Sequence, residues 1–314
     1  GPVISGLMCT LFGWRAVFVV PLVGGIVVAA AGVKLVQNVG ERSNTTLDIL
    51  SVVLLAAGIT AFVYSVGEFS TNLIAGIVTL FAAIVLLGLF AARQLKLEHP
   101  VLNVRPMASV RFWPACLLVV VSMMTTFSMS VLLPLYFEGA YGMTALIAGL
   151  LILPAIACNA VTSIVGGRVM DARGAWPLLP VGFALIAVGQ TAISMTAASM
   201  NIGVVVALTV VVYAGVGLVL SPSQTAGLET LPAAEHPHGT ALLNTWNMIA
   251  ASFGPSLFIG LLSSFAATAG AAGAATDVAQ AIGFATAVRV AAVIAVVGFA
   301  TSLVYARRES HMSH

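Results

Sequence analysis

Nine apolar runs, each long enough to cross a bilayer, fill this chain, and nearly all of its charged residues stand in the gaps between them. A hydrocarbon core about 30 Å thick takes roughly 20 helical residues to cross, and a segment inside it must satisfy its own backbone hydrogen bonds. Helices do that within one segment, so the pattern predicts an all-α protein that crosses the membrane repeatedly. The runs are Ala16–Val33, Asp48–Val66, Leu73–Ala92, Pro114–Tyr136, Thr144–Gly166, Pro177–Thr196, Gly203–Gly227, Thr240–Ser263 and Phe284–Ala306, and Gly1–Phe12 reads as the end of a tenth. Hydrophobic residues make up 60% of the chain and charged ones 7%, whereas a soluble domain carries about 25% charged residues. A water-soluble fold is excluded.

Charge placement sets direction. Alternating crossings put Lys34, Arg42, Arg93, Lys96, Arg105, Arg111, Arg168, Arg173, Arg307 and Arg308 on one side, and leave the other with Arg15 and with Arg289 just inside the last run. Basic residues favour the cytoplasmic side, which places the tail 307–314 in the cytoplasm of a multi-pass plasma-membrane protein. Trp14, Trp113 and Trp176 fall at run ends as interfacial anchors, while Trp246 lies within a run. The net charge of +2 is spread without a basic stripe, which argues against a nucleic-acid partner. Cys9, Cys116 and Cys158 all sit in apolar runs, where they act as small hydrophobes. Gly1-Pro2-Val3 has neither an initiator Met nor a charged leader, so the chain reads as truncated at its N-terminus.

Residues 93–113, with Pro100, Pro106 and mixed charge, read as a cytoplasmic linker, and Ser264–Gly283 as a flexible outward loop. Gly167-Arg168-Val169-Met170-Asp171-Ala172-Arg173-Gly174 reads as a short charged turn. It is either a positive-inside stop or a latch, in which Asp171 meets the positive end of the next helix and Arg168 and Arg173 pair with it or with a neighbour. A Gly-Pro breaker occurs twice, as Gly1-Pro2 with Gly6 and as Gly254-Pro255 with Gly260. Each is ordinary membrane-helix chemistry, or a bend with a smooth face for close packing. If 114–306 is a six-helix bundle, Gly254-Pro255 falls on its fifth helix. If Gly1-Pro2 also belongs to a fifth helix, residues 1–33 end an earlier bundle and 34–92 supply two extra helices between parallel repeats.

In this order the motifs resemble those of the major facilitator superfamily, specifically its 14-helix drug:proton antiporters of the EmrB/QacA type. Gly1-Pro2-Val3-Ile4-Ser5-Gly6 followed by Gly13-Trp14-Arg15 is similar to the family's antiporter motif, with Ser5 in place of a Gly. Leu133-Pro134-Leu135-Tyr136-Phe137-Glu138, then Gly149-Leu150 and Leu153-Pro154, resembles the first two helices of the C-terminal half. Gly167, Asp171 and Gly174 resemble its cytoplasmic turn, although Ala172, Ala175 and Trp176 stand where basic residues are usual. The resemblance implies a major facilitator fold fragment and export of amphipathic or cationic compounds by proton antiport. It also implies further N-terminal helices that activity requires.

Several polar or aromatic residues are candidates for the transport path. Glu138, following Tyr136 at a run end, is an exposed rim carboxylate or a titrating group whose pKa partial desolvation would raise. Gly239, Asn244, Asn247, Ala251 and Gly254 recur at helical spacing, as a packing stripe or as a cavity wall with Trp246 for stacking flat cations. Asn159 and Gln224 interrupt neighbouring runs, and Phe127 with Met123 and Met124 offers either packing or an adaptable lining.

No Gly-x-x-x-x-Gly-Lys is present, so ATP is not the energy source, and no cofactor is implied. His236 and His238 lack a third ligand and argue against a metal site. Neither they nor His99 stand beside a nucleophile, which argues against an enzyme. A narrow-substrate uniporter or symporter for a sugar or organic acid remains the alternative reading.

Overall fold

The computed structural model describes residues 7–9, 12–35, 48–68, 72–97 and 100–310, and every regular element among them is helical. Among the described residues, nine helices are long and apolar enough to span a membrane. They are α1 (Val19–Leu35, after a short turn of 3-10 helix at Trp14–Phe18), α2 (Ile49–Glu68), α3 (Leu73–Lys96), α4 (Trp113–Tyr141), α5 (Ala145–Arg173), α6 (Leu178–Thr196), α7 (Ile202–Glu229), α8 (His236–Ala271) and α9 (Thr276–Ser310). Gly1, Pro2 and Gly6 of the expected breaker element lie outside the described residues, as does Arg42.

Local chemistry sets the helix ends. The side chains of Asn72, Thr144 and Asn201 accept hydrogen bonds from Ala75, Ile147 and Val204 N–H and so start α3, α5 and α7. Gly142, at φ 63°, closes α4 in the left-handed conformation that an L side chain adopts at a cost.

Three loops expected from hydropathy are shorter than that signal implied. The charged segment 167–173 is the last part of α5, and the chain turns at Gly174–Pro177. Asp171 therefore does not cap the next helix, whose first turn follows Pro177 without a side-chain cap. The outward loop 264–283 is helical except at residues 272–275, because Ala-rich sequence remains a strong helix former where hydropathy falls. Residues 93–96 likewise continue α3.

Helices α4 to α9 form one bundle. Its centre is α4, which packs on α7, α8 and α9, while α7 runs between α5 and α6. The last arrangement needs glycine on two faces of α7. A Cβ on Gly215 would lie 2.9 Å from Ile186 Cγ1 and 3.1 Å from Ile186 N on α6. One on Gly217 would lie 2.7 Å from Asn159 O and 3.0 Å from Ser163 N on α5. At Gly254 of α8 a Cβ would come within 3.0 Å of Ser128 Oγ and 3.2 Å of Met124 Cα, so the Gly-Pro pair marks the α4–α8 crossing. Tyr136 is wholly buried in this bundle: its hydroxyl donates to Ala197 O at 2.8 Å and its ring stacks on Phe284 of α9 at 4.2 Å.

Helices α2 and α3 form a separate hairpin that touches the bundle at α8, where Phe62 stacks on Phe253 at 5.4 Å. α1 is exposed over most of its length.

Candidate substrate pathway

Polar groups inside a membrane bundle bond across helices or face a wet path, since hydrocarbon offers them no partner. Asn159 of α5 does the first: its Nδ2 donates to the Tyr213 carbonyl of α7 at 3.0 Å, beside the Gly217 crossing. Ser128 Oγ, Asn247 Oδ1 and both amide atoms of Gln190 are buried with no hydrogen-bond partner among the described residues. At 1.5 Å per residue, Ser128, Asn159 and Gln190 lie about 18–22 Å from the basic ends of their helices, in mid-span. By "basic end" is meant the end that carries Arg93, Lys96, Arg105, Arg111, Arg168 and Arg173.

The two flanks of the bundle are α5 and α8, which are less buried than the other four helices. Helices α6 and α9 cover one side of α4 and α7. The opposite side, between α5 and α8, is the candidate pathway. Phe127 and Asn244 are exposed on α4 and α8, Gln224 is half-buried on α7, and Asn247 is buried on α8. Glu138 is exposed in the last turn of α4, at the end opposite the basic one. Gly167 is half-buried, and Arg168, Asp171 and Arg173 are exposed at the basic end of α5. Trp246 is placed differently from the expected stacking wall: its Nε1–H points at Met107 Sδ, 3.4 Å away in the linker. The structure does not bring Glu138 and Trp246 together, since Tyr136–Glu138 and Trp246 mark opposite ends of the bundle.

Residues 1–255 match the family model of the Major Facilitator Superfamily. The chain belongs to that superfamily. Among curated members, it is 31% identical over 267 residues to the lincomycin resistance protein LmrB of Listeria monocytogenes, an alignment that covers 84% of this chain and 57% of that protein. It is 32% identical over 307 residues to the uncharacterized MFS-type transporter YcnB of Bacillus subtilis, covering 96% and 64%. It is 24% identical over 270 residues to a multidrug resistance protein B homolog of Mycobacterium tuberculosis, covering 84% and 50%. The chain thus spans between half and two thirds of the length of these relatives.

One cluster in this major facilitator chain was not visible in the sequence reading. Asp48, at the start of α2, receives Arg93 Nε at 2.7 Å and an Arg93 terminal nitrogen at 3.0 Å, from the end of α3. Ser51 Oγ also donates to Asp48, at 2.5 Å. Gln94, nearly fully buried, donates to Ser51 Oγ at 2.6 Å and accepts from Leu102 N–H in the linker at 3.1 Å. The signal for it in the sequence is a carboxylate and an arginine at matching ends of two adjacent runs, Asp48 and Arg93.

These contacts hold the Asp48 carboxyl below the usual carboxylate range, chiefly through the Arg93 guanidinium and then the Ser51 hydroxyl, while desolvation opposes them. A lowered folded-state pKa gives stability that is complete above the unfolded value of about 3.9 and is lost only as pH falls through the folded one. The melting-temperature difference between wild type and Asp48→Asn should therefore stay constant from about pH 5 to pH 8. A difference that shrank across that range would show a carboxyl that is not held in this way.

Proposed function

We propose that this major facilitator chain is the larger part of a proton-coupled drug exporter that moves amphipathic, mainly cationic compounds by alternating access. The observation that carries the reading is the similarity across 84% of the chain to a lincomycin resistance protein, joined to the antiporter-like Gly254-Pro255 at the α4–α8 crossing. In this reading residues 114–306 are the C-terminal half, 34–92 the two extra helices of a 14-helix exporter, 93–113 the linker, and 1–33 the end of the N-terminal half. The basic end faces the cytoplasm. Substrate binds between the halves against the α5–α8 side, with Phe127, Asn244, Asn247 and Gln224 along the path, while Asn159 holds α5 to α7 beside it. Arg168, Asp171 and Arg173 are placed to latch the second half at the cytoplasmic face. Activity in this reading needs a second half, for which the greater length of the relatives leaves room.

Glu138 is the coupling candidate of this half. Glu138→Gln should flatten the pH dependence of efflux while leaving membrane insertion intact. An unchanged pH profile in that variant would assign coupling to a carboxylate in the other half.

The substrate class is tested by growing a drug-sensitive host that expresses the complete reading frame in lincomycin, ethidium and a sugar analogue. Tolerance of the first two supports the reading. Transport of a single polar solute without drug tolerance would replace it with a narrow-substrate transporter.

A further inference from the structure

The hairpin of α2 and α3 looks like a spacer in sequence, yet it is fastened to the bundle at two separated points. The first lies at the basic end. There the chain Asp48–Ser51–Gln94–Leu102 runs from the hairpin into the linker. The linker in turn reaches α4 and α8, because Met107 Sδ lies 3.7 Å from Cys116 Sγ and receives the Trp246 indole N–H. Phe90 of α3, Leu102 of the linker, Phe112 and Val119 beside or within α4, and Leu242 of α8 are buried together as a second apolar core.

The second fastening is the Phe62–Phe253 stack. Phe62 lies 14 residues beyond Asp48, about 21 Å along the helix. Two contacts that far apart remove the swing that a single hinge point would leave.

Beyond the ring pair, on the side away from the basic end, the surfaces do not close. A groove of about 430 Å³ separates α8 from the hairpin, with Ser65 and Leu80 on one wall and Ser256 and Gly260 on the other. Two of its hydroxyls are spent on their own helices, Ser65 on Phe62 O and Ser256 on Ser252 O. The hairpin is thus held by the strap at the basic end and by the ring pair about 21 Å along α2.

We propose that the hairpin, the linker 97–112 and the α4–α9 bundle move as one rigid body through the transport cycle, with the linker as its strap. The proposal rests on the alternating-access reading, and it assigns the extra helices to the C-terminal body rather than to a hinge between bodies.

The test uses the complete transporter with Cys9, Cys116 and Cys158 replaced and Phe62→Cys and Phe253→Cys introduced, linked by a short reducible bis-thiosulfonate. A single rigid body predicts that the cross-link forms and that ethidium efflux stays within about twofold of the reduced protein. Efflux that is lost on linking and restored by dithiothreitol overturns the proposal, as does failure to link when each cysteine labels alone. Should the cysteine-replaced parent with Phe62 and Phe253 intact export nothing, the transport reading fails and the strap is judged separately. Spin labels at the exposed positions Val53 and Val296 then report the distance from hairpin to bundle. That distribution should broaden when Gln94→Leu and Trp246→Phe are combined, and an unchanged width overturns the strap.

Discussion

Gly217→Leu should leave almost no folded bundle in the membrane, and Gly217→Ala should lower the apparent melting temperature by about 5–10 °C. Position 217 is where α7 and α5 meet backbone to backbone. A single Cβ would fall 2.7 Å from Asn159 O and 3.0 Å from Ser163 N, atoms that cannot rotate away, and would overlap the Thr162 side chain. Overpacking of this kind costs about 1–3 kcal/mol for one methyl, and a leucine adds three more carbons with nowhere to go. Separating the helices would also break the Asn159–Tyr213 hydrogen bond beside the crossing. Gly88→Ala on α3 is the control, since nothing lies within 4 Å of a Cβ there. Equal stability of the two alanine variants, read by fluorescence-detected size exclusion after heating, would show that the α5–α7 approach is looser than described.

Tyr136→Ala should cost about 3 kcal/mol of bundle stability, and Tyr136→Phe about 1 kcal/mol. Transfer out of water contributes little here, because lipid is as apolar as the bundle interior. The loss comes instead from the cavity left beside Phe284 and from one of the two hydrogen bonds to the Ala197 carbonyl, which keeps only the Met200 N–H. The phenylalanine variant keeps the stack and separates the two terms. If efflux falls in Tyr136→Phe while its melting curve matches wild type, the hydroxyl has a part in transport beyond this packing.

The fold was readable because each span announces itself twice, once by an apolar run and once by a cap or charge where the run ends. Pro114, Thr144, Asn201 and Gly142 stand within a residue or two of real helix ends for local reasons that a sequence displays. Hydropathy misplaced the ends at 167–173 and 264–283, where polar or small residues continue a helix beyond the apolar run. The pathway was less legible. Asn159 and Tyr136 stood out as chemically unusual in their runs, but their partners, the Tyr213 and Ala197 carbonyls, are 54 and 61 residues away. Trp246 stood open between a packing stripe and a stacking wall because its run gives no hint that Met107 of a loop meets its indole. Ser128 and Gln190 carry little signal in the sequence, since a lone hydroxyl or amide in a long apolar run is uninformative until burial is known.

The most direct measurement for the account as a whole is ethidium efflux from preloaded cells expressing the complete reading frame, followed before and after the proton gradient is collapsed with ATP held constant. Rapid efflux that stops with the gradient is the predicted result. Efflux that continues unchanged without the gradient, or none from correctly inserted protein, would contradict proton-coupled drug export.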